Sequence, residues 1–155
     1  MRVTLGLCLI AVFGGVALAQ IIVPAPDPRN NARAITNQSI VGATNASRAA
    51  AGLPALKVSA ALEASADLKN KEMERLGYFG HFSPKGGSPW RFFKRAGYDY
   101  KAAAENLAEG HTDIEQLQSS WMKSRQHRQN ILSRRYTEIG AAVNRGVVVV
   151  HFGAR

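Results

Sequence analysis

Apolar and polar positions along this chain repeat with different periods, and each period predicts an element. Val3 to Val16 is apolar except for Thr4. From about Ser39 a helical period takes over, with Ile40, Val41, Ala43, Ala46 and Ala50 near one face and Gly52 and Pro54 ending the run. A longer helix is predicted from a Ser59 cap to about Leu76. Its stripe is Leu62, Ala66, Met73 and Leu76, with Glu63 in the first turn and Gly77 as the stop. Residues 78–100 are irregular around one short helix, from about Pro89 to Ala96. Thr112 to Glu115 reads as a capping box, Thr-x-x-Glu, and opens a helix that buries Ile114, Leu117 and Trp121. Tyr136 to Val143 and Val147 to Phe152 are strand-like, with Asn144-Arg145-Gly146 as the hairpin loop. Val147 to Val150 is continuously apolar, which predicts a strand covered on both faces. Helices that precede a hairpin, without βαβ alternation, predict an α+β fold.

The apolar start changes where the protein is expected to work. Met1-Arg2, the apolar run and Ala17-Leu18-Ala19 form the pattern of a secretory signal peptide, with cleavage expected between Ala19 and Gln20. The run is shorter than the roughly 20 residues a membrane-spanning helix needs, so no transmembrane anchor is expected after cleavage. Pro24, Pro26 and Pro28 then mark residues 20–38 as an extended linker. The folded domain is expected over 39–155. Cys8 is the one cysteine and lies in the leader, so the mature domain must hold together without disulfides.

The whole chain carries 20 Lys+Arg against 11 Asp+Glu, a formal net charge of +9. An exported protein of that charge is expected to meet acidic envelope polymers or lipid headgroups, and nucleic acid is excluded by the export signal. Neither GxGxxG nor GxxxxGK[ST] occurs, which removes dinucleotide and P-loop chemistry. The 78–100 stretch concentrates Tyr78, Phe79, Phe82, Trp90, Phe92, Phe93, Tyr98 and Tyr100. These aromatics form either core or an apolar ligand groove.

Few residues could carry chemistry. His81 lies between Gly80 and Phe82, where an imidazole can ligate, relay a proton or bond a loop. Glu105 sits in an Ala-rich surround, so it is either exposed or paired. His127 follows the Trp121 helix, where the helix dipole gives a structural reason for a cation. His81, Glu105 and His127 would make an open three-ligand site for zinc or another divalent metal, although the spacing has no local metal signature. Ser124 is three residues before His127 and could contact it if the helix continued. His111 and His151 read as structural: one lies near a helix start, the other on a strand close to the terminus.

Taken together, several stretches resemble the CAP superfamily of cysteine-rich secretory, antigen five and pathogenesis-related class 1 proteins, and most closely its short bacterial SCP-like branch. They include Asn45-Ala46-Ser47-Arg48 with Gly52 to Leu56, Tyr78-Phe79-Gly80-His81, Gly97-Tyr98, and Glu105-Asn106-Leu107-Ala108-Glu109-Gly110. Trp121-Met122-Lys123-Ser124, His127 to Leu132 and Tyr136 to Gly140 complete the series in family order. The resemblance implies an α-β-α sandwich with a central, mainly antiparallel sheet and a cleft built on two His and two Glu. Carried over by motif, these are His81, Glu105 and His127, with Ser124 at the position of the second Glu. Three function classes follow. The first is an exported binding module using the cleft and the basic surface. The second is a metal-assisted or serine hydrolase using Glu105, Ser124 and His127. The third is a carrier of a small apolar ligand, lipid or sterol. A shared fold does not select among them.

Overall fold

The computed structural model describes residues 33–155. The signal peptide, Cys8 and most of the linker lie outside these residues. In chain order the elements are α1 (Asn37–Ala50), β1 (Lys57–Val58), α2 (Ala60–Leu76), α3 (Trp90–Arg95), β2 (Ala102–Glu109), α4 (Ile114–Lys123), α5 (Arg125–Ile131), β3 (Glu138–Asn144) and β4 (Val147–Ala154).

Four strands form one sheet in the order β1-β3-β4-β2. Only the β1–β3 pair is parallel; β3–β4 and β4–β2 are antiparallel. The strand with the continuous apolar run, β4, is central, and Val148, Val149 and Val150 are all buried. Side-chain alternation divides them between two faces. Val148, Val150 and Phe152 join Ile40 of α1 and Ile114, Leu117 and Trp121 of α4 in one core. Val149, Ala142 and Leu107 meet Ala66 and Met73 of α2 in another. Helices on both faces of a mainly antiparallel sheet give the expected α+β sandwich.

Two glycines are required by geometry. Gly77 ends α2 in the left-handed region, at φ 63°, as its place after the stripe predicts. At Gly140 a Cβ would lie 2.2 Å from the Glu63 backbone nitrogen, so β3 and α2 pack backbone to backbone there.

Several local expectations are corrected. The first helix begins at Asn37 under a Thr36 cap, so the linker does not extend to residue 38. Its buried stripe is Ile40, Thr44 and Arg48, whereas Ala46 and Ala50 face solvent. Ser59 occupies the N-cap of α2 without a side-chain capping bond. The cap of α4 is Asp113, whose carboxylate accepts from the Gln116 amide; Thr112 lies one residue too early. The hairpin turn is the two-residue Arg145-Gly146, both at positive φ. The eight-residue strand β2 and the helix α5 were not expected from the sequence. The Ala-rich sequence of β2 has little strand preference, and pairing with β4 along its whole length imposes the strand.

Arg48 anchors the region that carries the site. Its buried guanidinium donates from Nε to the Pro54 carbonyl and from Nη1 to the carbonyls of Ile131 and Ser133. The end of α1 is thereby tied to the end of α5.

Candidate functional site

The centre of the site is Glu105, on the edge strand β2. The β2–β4 register places it directly opposite His151. Its side chain is 1% exposed and spends both oxygens on imidazoles. Oε1 lies 2.7 Å from His81 Nδ1, and Oε2 lies 2.9 Å from His151 Nε2. His151 in turn bonds Ser65 Oγ through Nδ1 at 2.8 Å and stacks on Phe93 at 4.3 Å.

This chain of contacts fixes the proton positions. An ionised carboxylate accepts only, so His151 donates from Nε2 and accepts a hydrogen bond from the Ser65 hydroxyl at Nδ1. His81 likewise donates from Nδ1, and its ring is half exposed. Burial pushes the Glu105 carboxyl up, but the hydrogen bonds from His151 and His81, with the charge of Lys69, outweigh it and hold it below the usual carboxylate range. Burial holds His151 below the ordinary histidine value, against the upward pull of Glu105, so it remains neutral.

Lys69 supplies the second anchor. It is fully buried on α2 and donates from Nζ to Tyr78 Oη (3.1 Å), the Gly80 carbonyl (2.5 Å) and the His81 carbonyl (2.9 Å). Burial lowers its affinity for a proton, while Glu105 and Glu72 raise it and Arg91 opposes them. Glu72 accepts from Tyr78 Oη and from both approaches of Arg91 Nη2. Burial together with the Glu72 bond pushes the Tyr78 phenol up to about 12, so it remains a donor. The backbone of His81 is therefore held from α2 while its ring is held from β2.

Across the edge of β2, Asn106 donates to the His127 carbonyl and accepts from Asn130 Nδ2 at 2.8 Å. A cleft of about 280 Å³ opens here, lined by Phe82, Pro89, Trp90 and Tyr136 beside the polar His81, Glu105 and Asn130. The aromatic-rich stretch thus divides. Phe92, Phe93 and Tyr98 are core, while Phe82, 72% exposed, stands at the rim.

Of the residues singled out by sequence, His81 and Glu105 meet directly. His127 lies near them, half-buried and in tilted contact with Trp121, and its ring is held below the ordinary histidine value by burial and then by the charge of His81. It sits in the first turn of α5, so the expected place at a helix C-terminus is corrected. Ser124 is the extended residue between α4 and α5, at φ −80° and ψ 122°, and makes no side-chain hydrogen bond to His127. His151, read as a structural strand residue, is fully buried and is also the inner partner of Glu105. His111 keeps its structural role, bonded to Ser120 Oγ at 2.9 Å.

Lys69 and His151 are among the residues of the site that sequence reasoning did not place there. The α2 stripe runs 62, 66, 69, 73, and a lysine on an apolar stripe is the signal that would have found Lys69. For His151 the parity with Val149 places it on the α2 face, but its meeting with Glu105 depends on the β2 pairing. As for a metal, among the described residues no three His, Cys, Asp or Glu side chains group so as to hold one. Glu105 would have to release an imidazole to become a ligand. The donor set therefore does not fit the three-ligand centre expected of His81, His127 and Glu105.

The comparisons bear on the family and the fold. The pattern of the cysteine-rich secretory protein family, CAP, matches residues 41–151. The uncharacterized protein YkwD of Bacillus subtilis (strain 168) is 41% identical over 103 residues, covering 66% of this chain and 40% of that protein. An extracellular protein containing an SCP domain from Bacillus anthracis str. Ames superposes with TM-score 0.73 at 28% identity, over 77% of this chain and 40% of that one. An outer surface protein of Borrelia burgdorferi shares the fold at TM-score 0.68 and 20% identity, over 79% of this chain and 97% of that one. The chain thus spans about two fifths of the length of the curated relative it matches. Among the described residues no helix is long and apolar enough to cross a membrane.

Proposed function

The chain belongs to the cysteine-rich secretory protein (CAP) family, and on that premise we propose that it is an exported binding module. Its cleft takes a sugar unit of an envelope polymer, and its basic surface draws it to an anionic envelope. The observation that carries this reading is the His81–Glu105–His151 chain. It holds the half-exposed His81 ring from beneath at the mouth of an aromatic cleft. A sugar ring has an apolar face for Trp90, Phe82 and Tyr136, and hydroxyl and amide groups for His81 and Asn130.

Binding is favoured over hydrolysis by the same geometry. Glu105 is 1% exposed and bonded to two imidazoles, which leaves a water in the cleft little access to it as a general base. Ser124 lacks the bond to His127 that would activate it as a nucleophile. The extracellular and outer-surface neighbours support an envelope location. Sedimentation with purified envelopes tests the electrostatic half of the proposal. Retention at about 0.05 M salt should be released by about 0.5 M, because screening shortens the reach of surface charge. Retention indifferent to salt would contradict it.

A further inference from the structure

The basic charge is not spread evenly. From Gln116 to Thr137 the chain contains Lys123, Arg125, Arg128, Arg134 and Arg135 and no Asp or Glu. Three of these cations converge where α4 turns into α5. A pocket of about 540 Å³ is lined there by Met122, Lys123, Arg125, Arg128, Gln129 and Leu132. No carboxylate lines it, and among the described residues none of the three cations has an acidic partner. Other cations, Lys94 and Arg95 among them, also lack an acidic partner among the described residues, but these three line one pocket together. The extended break at Ser124 creates this arrangement. A continuous helix would carry residues 123, 125 and 128 around its axis, whereas the turn brings them to one mouth.

We propose that this pocket is a second binding site, distinct from the His81 cleft, and that it takes a phosphodiester of an anionic envelope polymer. Two of the three donors are guanidinium forks that match the non-bridging oxygens of a phosphodiester, and Lys123 adds a third cation for the next phosphate of a repeating polymer. Met122 and Leu132 supply an apolar floor for the carbons on either side of the ester. The proposal rests on the envelope reading above and adds to it where on the surface the attraction is focused, and by what chemistry.

The probe is soluble poly(glycerol phosphate), titrated into the full domain at about 0.1 M salt. Arg125→Gln/Arg128→Gln should weaken binding at least about tenfold, and Lys94→Gln/Arg95→Gln, which removes the same charge from exposed positions on α3, less than about threefold. Polyglutamate of equal charge should bind the parent more weakly than the phosphate polymer, and equal binding would overturn the phosphodiester as the recognised group. Equal weakening by the two double variants would overturn the pocket and leave the envelope reading standing. Preference for phosphatidylglycerol vesicles over the polymer, lost in Arg125→Gln/Arg128→Gln, would overturn the polymer as ligand. A parent that sediments with envelopes but ignores poly(glycerol phosphate) would overturn the phosphodiester. A parent that binds neither would remove the envelope reading itself.

Discussion

Glu105→Ala should cost the fold about 3–5 kcal/mol, the largest loss expected from one side chain here. The carboxylate is buried, and three groups depend on it: His81, His151 and the charge of Lys69. Removing it leaves the His151 Nε2 proton without an acceptor at 0% exposure and Lys69 without one of its two carboxylates. Glu105→Gln should recover part of the loss, since an amide oxygen can still accept from one imidazole. Urea unfolding near neutral pH measures both variants, and a loss below about 1 kcal/mol in the alanine variant would contradict the arrangement.

Acid should weaken the parent in two stages. His151 is held below its ordinary value of 6.5, so the unfolded chain binds a proton there that the folded chain does not. Stability therefore falls as pH drops below about 6.5, by up to about 1.4 kcal/mol per unit until the folded value is reached. Glu105 is held below 4.5, so its contribution is present above that value and is lost as pH falls further, through the folded value.

Lys69→Met should have the second largest effect, about 3 kcal/mol, although methionine fills nearly the same volume. Replacing a whole buried charged group with apolar residues is often neutral, but removing one partner is not. Glu105 and Glu72 would keep their charges, and the carbonyls of Gly80 and His81 would lose their donor. The damage should be local as well as global. Amide exchange from Tyr78 to Ser83 should quicken well beyond the change elsewhere, because Lys69 ties that segment to α2. Uniform quickening, or none, would make Lys69 a packing residue only.

The parts of the fold that were legible in the sequence are those whose side chains alone decide them. The α2 stripe, the Gly77 stop, the α4 stripe and the C-terminal hairpin are set by local period and turn chemistry. The strand β2 was hidden because its residues 102–109 are Ala, Glu, Asn and Leu, and only β4 makes them a strand. The helix α5 was hidden because it buries one residue, Ile131, and so shows no stripe. The site follows the same division. His81 and Glu105 were found as unusual residues in unusual surroundings. The partners that orient them, His151, Ser65 and Lys69, look like ordinary strand and helix residues until the sheet register and the α2 packing bring them together. Resemblance to the family supplied the pairing of His81 with Glu105, which spacing alone did not.

The central claim is that the cleft at the edge of β2 is a ligand site built around His81. Its most direct test is titration of N-acetylglucosaminyl-N-acetylmuramic acid into isotope-labelled protein, read by amide and imidazole resonances, with His81→Ala alongside. The account predicts saturable one-to-one shifts centred on His81, Trp90, Asn130 and Tyr136, and their loss in a His81→Ala variant that keeps its fold. No saturable shift in the parent, or the same shifts in both proteins, would contradict it.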